Sequence, residues 1–190
     1  MVRRLLSLAT LVAAVAVPSL AVRADEYALD TSHAAVTFQV SHLGLSWANG
    51  RFKELTGSFA IDPANPSGTW FEVLAKADSV DTDNAKRDEH LRSPDFFNTR
   101  QYPVLSFKST AARAIQGGYQ VTGDLTLHGV TKPITLNLAG GKTAEFPKGV
   151  VRTGYSTTFT IKRSEFGMDK MLEAIGDEVH VTVSFEGTKK

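Results

Sequence analysis

Hydrophobic and polar residues alternate along most of the chain in short stretches. In residues 36–40, for example, Val, Phe and Val alternate with Thr and Gln. A period of two residues is typical of a β-strand with one buried face. The same pattern recurs at 51–62, 71–77, 104–109, 119–127, 134–138, 155–161 and 179–185. Eight or nine strands are therefore predicted.

Short runs of turn-forming residues separate the predicted strands, as at 65–68, 117–118 and 140–141. Links this short join antiparallel neighbours, because parallel strands need long crossover connections. A sheet of this size must bury one face and protect its edges, and closure into a barrel achieves both. We therefore expect an all-β fold, an antiparallel eight-stranded barrel, with a two-sheet sandwich as the alternative.

One densely charged segment, residues 81–97, interrupts the strand pattern. The i,i+4 spacing of Asp83 with Arg87, and of Asp88 with Arg92, predicts a short helix whose charges pair along its surface. The Ser-Pro pair that follows predicts a cap and a further turn. We expect a helical segment around 83–97 that covers the barrel.

A second interruption lies at residues 167–176. Met168, Met171, Leu172 and Ile175 follow one another at i, i+3, i+4 and i+7, which places them on one face of a helix. A short helix around 168–175, or an ordered loop, is predicted to cover a barrel mouth.

The start of the chain predicts an export signal. Arg3 and Arg4 precede the apolar run 5–17, and residues 22–24 offer a cleavage site. We expect residues 1–24 to be a signal peptide and 25–190 to be one exported domain of 166 residues, placed in the periplasm. No later segment approaches the roughly 20 apolar residues of a membrane-spanning helix, so no stable membrane insertion is expected.

Composition excludes several classes of function. The 21 basic residues fall to 18 once the three arginines of the signal are removed, against 20 acidic residues, so no polyanion-binding surface is expected and nucleic acid is excluded as a partner. The absence of cysteine excludes disulfides, thiol catalysis, thiolate metal sites and a lipoprotein anchor. The five histidines share no close ligand spacing, so no metal site is expected.

Four stretches together resemble one family. They are HLGLSWANGRFKELTGSF (42–59), SVDTDNAKRDEHLRSPDFFNTRQYPVLSFKST (79–110), GDLTLHGVTKPITL (123–136) and IGDEVHVTVSFEG (175–187). They resemble the YceI-like proteins, exported lipocalin-like domains associated with polyisoprenoid binding. The resemblance implies an eight-stranded barrel around a long apolar tunnel that holds an isoprenoid, such as ubiquinone or a polyprenyl phosphate. It also implies a homodimer, and no cofactor beyond the bound lipid.

Candidate ligand contacts fall into two groups. Hydrophobic and rim residues would line the tunnel, and polar residues of 84–92 would meet a quinone carbonyl or a phosphate, since Arg donates well to such oxygens. The competing interpretation is a self-paired helix that only caps the barrel. The candidates are Phe38, Val40, His42, Trp47, Phe52, Asn84, Arg87, His90, Arg92, Phe96, Phe97, Met168, Met171 and Leu172.

Binding, transport or sequestration of a polyisoprenoid lipid is therefore the expected function, without catalysis. The alternative is a stress-related structural or interaction module of the periplasm that binds lipid incidentally. A hydrolase is disfavoured, because GLSWA (44–48) lacks the second glycine of a nucleophile elbow and no nucleophile accompanies the acidic residues of 83–88.

Overall fold

The structure is a computed structural model that describes residues 24–190. The predicted signal peptide, except for Ala24, lies outside these residues. The described strands are β1 (Asp25–His42), β2 (Ser46–Phe52), β3 (Leu55–Ile61), β4 (Trp70–Lys76), β5 (Val80–Asp81), β6 (Val104–Ile115), β7 (Gly118–Leu127), β8 (Val130–Glu145), β9 (Val151–Lys162) and β10 (Ile175–Lys189). Helix α1 spans Ala85–Arg92, and short 3-10 helices lie at Pro66–Gly68, Ala77–Ser79 and Arg163–Phe166.

The strands form one closed antiparallel barrel, as predicted, and the two-sheet alternative does not form. Strands β6 to β10 pair in chain order, β4 pairs with β6 and with β3, and β10 pairs with β1 to close the sheet. The long strand β1 pairs with β3 through residues 25–28 and with β2 through residues 36–42. Together, β2 and β3 occupy one position in an eight-stranded ring, and β4 and β5 occupy the next.

The barrel wall is incomplete beside β2. Only Arg51 and Phe52 of this strand pair with β5, so among the described strands residues 46–50 have β1 as their sole partner. The stretch SWANGRF (46–52) forms this strand. Helix α1 follows β5 and takes the place that a longer strand would fill. The position of the charged segment over the barrel is therefore a consequence of a strand that ends early.

One end of the barrel is filled by aromatic side chains. Tyr27 stacks on Phe59 with ring centroids 5.0 Å apart, and Phe185 meets Phe59 edge to face at 5.4 Å. Phe71 and Tyr155 pack edge to face at 5.5 Å. All five residues are buried, and burial raises the pKa of Tyr155 to about 12. We call these five residues the aromatic floor, and each such pair adds roughly 0.5–1.5 kcal/mol beyond its buried area.

Helix α1 forms as predicted, but its expected surface ion pairs do not. Asp88 is buried and accepts a hydrogen bond from the Thr82 backbone N–H at 2.9 Å. The Arg87 guanidinium donates to the Thr82 hydroxyl at 2.8 Å and to its carbonyl at 2.7 Å. Both side chains turn toward Thr82, in the segment that precedes the helix. Burial removes water from the polar groups of Thr82, so these groups need hydrogen-bond partners within the protein. The charges therefore fix the helix to the barrel.

No helix forms at 168–175. Residues 170–174 form turns, which are closed by a hydrogen bond from the Ile175 N–H to the Met171 carbonyl at 2.8 Å. Met171 has a φ of 58°, in the left-handed region, which a continuous right-handed helix does not permit. The alternative prediction, an ordered loop, describes this segment. Within residues 24–190, no helix is long and apolar enough to span a membrane.

Candidate ligand cavity

A cavity of about 650 Å³ lies inside the barrel, between the aromatic floor and α1. Its wall is formed mainly by inward-facing side chains of the strands, and most of the lining is hydrophobic. Val36, Phe38, Val40, Val181 and Val183 point inward yet remain partly exposed, because open space lies in front of them. The volume is within the roughly 300–1,000 Å³ of protein ligand sites.

The cavity is closed at its deep end. Phe71 and Phe185 of the aromatic floor form its base, together with Leu136 and Leu138 of β8. Tyr27, Phe59 and Tyr155 lie beneath that layer and do not reach the lining. The long tunnel that the resemblance implied is therefore a pocket with a solid base.

Eleven of the fourteen candidate residues lie on the lining of this cavity. They come from β1, β2, α1, the turn after α1 and the 168–175 loop. They are Phe38, Val40, His42, Trp47, Phe52, Arg87, His90, Phe96, Phe97, Met168 and Met171. Their contact with a ligand stays a prediction, since a place on the wall gives position and not binding.

Three candidates lie off the lining. The Asn84 side chain caps α1, accepting from the Arg87 backbone N–H at 3.0 Å. Arg92 donates to the Asp78 carbonyl at 2.9 Å and to the Val80 carbonyl at 3.1 Å, which ties the end of α1 to the start of β5 and the turn before it. Leu172 is 41% exposed and points outside the lining. The structure gives the first two residues structural roles that spacing alone did not reveal.

A side opening flanks the unpaired edge of β2. Ala48 and Asn49 of β2 line the cavity on one side, and Lys86, Arg87 and His90 of α1 line it on the other. Lys86 is exposed and has no ion pair within the described residues. His90 hydrogen bonds through Nε2 with Asp95 at 3.1 Å. The apolar interior is therefore bordered at this opening by polar and basic side chains.

The charges on the lining all have one sign. Lys86, Arg87 and Arg163 are the charged residues of the described lining, which contains no Asp or Glu. An apolar chamber of low dielectric strengthens electrostatic interactions relative to water. A guest that carries partial or full negative charge at the open end is therefore favoured over a cationic one.

Arg163 holds the loop that borders the opening. This residue is buried, and its guanidinium donates to the carbonyls of Met168 (2.7 Å), Lys170 (2.9 Å), Ile175 (2.7 Å) and Gly176 (2.9 Å). Burial lowers the pKa of the guanidinium, although Arg stays protonated at any physiological pH. The turns at 168–175 are shaped by this one side chain.

Several lining residues were missed by sequence reasoning. Arg163 ends an ordinary strand pattern, and nothing local marks it as the centre of a hydrogen-bond network. Inward residues of the later strands gave a clearer signal, because period-two alternation already places them on the core face. They include Leu105, Phe107, Leu125, Thr157, Phe159, Ile161, Val179, Val181 and Val183.

Three potential metal ligands cluster at the end of the barrel opposite the opening. Ligand atoms of Asp30, His33 and Glu186 lie within 4.8 Å of one another. The guanidinium of Arg152 hydrogen bonds to Asp30 and approaches Glu186 at 3.8 Å. Its positive charge already occupies the position between the two carboxylates. The cluster is therefore interpreted as an ion-pair network that joins β1, β9 and β10.

Comparison with known proteins relates the sequence and fold to one family. Residues 27–187 match the YceI-like domain family. Protein YceI of Escherichia coli is 40% identical over 169 residues, which cover 88% of each chain. The crystal structure of the Campylobacter jejuni YceI protein superimposes with a TM-score of 0.70 at 31% identity, covering 79% of this chain and 90% of that one.

A third protein shares the fold at lower identity. A polyisoprenoid binding domain from Saccharophagus degradans gives a TM-score of 0.65 at 20% identity, covering 86% of this chain and 98% of that one. At this identity the likeness concerns the barrel alone. The family match and the E. coli relative extend over most of the sequence, and the chain belongs to the YceI-like domain family.

Proposed function

We propose that this protein binds a polyisoprenoid lipid, with the prenyl chain inside the barrel. The observation that carries the proposal is the apolar cavity of about 650 Å³, which is closed at the aromatic floor and open beside α1. A barrel of eight strands is wide enough for one slender ligand. The Saccharophagus degradans domain, a polyisoprenoid binding domain, supports the capacity of this fold for such a guest.

Burial of the chain supplies sufficient free energy. Each buried methylene contributes about 0.8 kcal/mol, so about twelve buried carbons contribute on the order of 10 kcal/mol. Lost translational and rotational freedom costs roughly 4–15 kcal/mol. Four prenyl units, about twenty carbons, contribute roughly 16 kcal/mol and exceed the upper end of this cost. A single prenyl unit contributes only about 4 kcal/mol, so a short prenyl alcohol gains no useful affinity from apolar contact alone. The proposed role needs no catalytic step.

The polar end of the ligand is proposed to lie at the opening beside α1. Lys86, Arg87 and His90 line the cavity there and can donate hydrogen bonds to a quinone carbonyl or a phosphate. Two of the guanidinium nitrogens of Arg87 are engaged by Thr82, which fixes the plane of the group and leaves its remaining N–H groups available. Ubiquinone and a polyprenyl phosphate both meet this description.

A carrier or sequestering role in the periplasm completes the proposal. It is supported by the export signal predicted at residues 1–24. The alternative of an interaction module with incidental lipid is less well supported, because a filled interior would favour it and the barrel contains a cavity. Homodimer formation remains part of the proposal by resemblance.

Extraction of the purified protein tests the proposal. The full chain is expressed in a Gram-negative host and purified without detergent, and its organic extract is analysed by mass spectrometry. A stoichiometric long-chain isoprenoid is the expected result. Recovery of protein that repeatedly carries no lipid, and takes up none from ubiquinone or polyprenyl phosphate offered in detergent, would overturn it.

A paired substitution separates cavity binding from surface adsorption. Val181 faces the cavity and Thr182, its neighbour on β10, is exposed on the outer surface. Val181→Trp places an indole inside the cavity and should strongly reduce extractable lipid. Thr182→Trp adds the same group outside and should leave the yield unchanged. Equal lipid content in the two variants would place the ligand somewhere other than the cavity.

A further inference from the structure

Besides the basic residues of α1, exposed hydrophobic side chains border the opening of the cavity. Leu43 is 55% exposed, Leu45 82%, Trp47 51%, Met171 37% and Leu172 41%. We call these five residues the apolar rim. Trp47 and Met171 also line the cavity, so the rim is continuous with the proposed binding site. Scattered surface hydrophobic residues are ordinary, whereas a contiguous group at the mouth of a cavity indicates an interaction surface.

The rim is formed by the turn between β1 and β2, with the start of β2, and by the 168–175 loop, and these two segments are joined by backbone hydrogen bonds. The Leu43 N–H donates to the Ala174 carbonyl at 2.7 Å, and His42 pairs with Ile175 where β1 meets β10. Arg163 holds the second loop from beneath through its four hydrogen bonds. The indole of Trp47 packs on the ring of His180 at 5.1 Å. The apolar side chains are thus presented on a supported edge and not on independent loops.

Leu43 and Met171 also share an unusual backbone conformation. Leu43 and Met171 have φ values of 54° and 58°, in the left-handed region. The other described non-glycine residues there are Asp83, Asn98 and His128, whose types adopt this conformation more readily. Both such residues lie on the rim, in turns whose backbone hydrogen bonds hold this less favourable conformation. The two leading side chains of the rim are therefore held in fixed positions.

We propose that the apolar rim docks on a phospholipid bilayer, and that a ligand passes directly between membrane and cavity. The inference rests on the proposed lipid-binding function, because a prenyl chain that leaves the cavity over this rim needs an apolar path to follow. Trp at the boundary between hydrocarbon and head groups is typical of membrane-contacting surfaces. Insertion of side chains, and not charge attraction, supplies the binding.

Trp47 itself provides the spectroscopic test. The chain has two tryptophans, so Trp70→Phe leaves Trp47 as the only one. Mixing this variant with phosphatidylcholine vesicles should shift its emission to shorter wavelength, and lipids brominated in their acyl chains should quench it. Binding should persist at high salt, since apolar insertion is not screened. An emission spectrum that no vesicle changes would overturn the proposal.

Substitutions in the rim are compared with an equally exposed residue elsewhere. Leu45→Ser and Leu172→Ser should each lower the vesicle partition coefficient by about tenfold, as the loss of one partly inserted leucine predicts. Phe146 is 76% exposed in the turn between β8 and β9, at the opposite end of the barrel, and Phe146→Ser should have no effect. Equal losses in all three variants would contradict docking through the rim.

Vesicle flotation of the Val181→Trp variant keeps this proposal separate from the proposed function. The rim is intact there, so flotation should survive although the cavity is blocked. If the unmodified protein floats with vesicles but yields no extractable ligand, the proposed lipid binding is refuted and docking is not. If it yields ligand but does not float, docking is refuted and lipid binding is not. A second copy of the chain is the competing occupant. A dimer that Leu45→Ser dissociates, with no vesicle binding by the monomer, would assign the rim to that copy and overturn the proposal.

Discussion

Replacement of Arg163 by methionine tests how the loop beside the opening is held. The substitution keeps a long side chain but removes a charge and all four hydrogen bonds to the 168–176 segment. Loss of one bond to a charged donor costs about 1.5–3 kcal/mol. The four losses are not additive, because carbonyls that become accessible regain water. Leaving a buried carbonyl without a donor costs about 1–3 kcal/mol, so we expect a total of about 3–5 kcal/mol for Arg163→Met.

Chemical and thermal unfolding measure this loss. A decrease of 3–5 kcal/mol corresponds to a fall in Tm of about 10 °C for a domain of this size. Arg163→Lys keeps the charge but loses the planar set of donors. The stability of this variant should therefore lie between that of the unmodified protein and that of Arg163→Met. Lys162, the exposed last residue of β9 and the neighbour of Arg163, provides the matched control, and Lys162→Met should change stability by less than about 0.5 kcal/mol.

The outcome also bears on the cavity. If Arg163 shapes the loop, Arg163→Met should release bound lipid faster at temperatures where the barrel remains folded, because Met168 and Met171 line the opening. A stability loss below about 1 kcal/mol would mean that the loop carbonyls are hydrated without cost, and the reasoning on this network would fail.

Other predictions concern the opening, the far end and the floor. Lys86→Ala should lower retention of an anionic lipid in an extraction assay while Tm stays unchanged, because Lys86 has no ion pair in the described structure. Arg152 holds the pKa of Asp30 below its ordinary value, so the ionised carboxylate stabilises the folded state above about pH 4, and this is lost as pH falls toward the lowered pKa. Asp30→Asn should therefore flatten the decline of urea midpoints in acid. Phe59→Ala should cost about 3–5 kcal/mol in urea unfolding, since Phe59 is central to the floor.

The antiparallel all-β fold could be predicted from the sequence because its determinants are local, whereas closure requires the distant strands β1 and β10 to pair. Alternation at residues 36–40 and along the later strands fixes which side chains face inward, and short turns fix antiparallel order. Candidates chosen on this basis, such as Phe38 and Val40, lie on the cavity wall. The pattern of Met168 and Met171 correctly marked a loop over the mouth, although the helical form was wrong.

Only the tertiary structure decided what depends on side chains distant in sequence. The roles of Asn84 and Arg92 follow from donors and acceptors that lie beside them in space, so charge spacing within α1 wrongly predicted surface pairs. The depth of the cavity depends on how far the rings of the aromatic floor fill the barrel, and period-two alternation is the same for a filled and a hollow interior. The role of Arg163 becomes apparent only in the folded loop, where the four carbonyls that accept its hydrogen bonds lie around the guanidinium. Alternation fixes the direction of each side chain, whereas the space left between side chains is set by packing across the whole barrel.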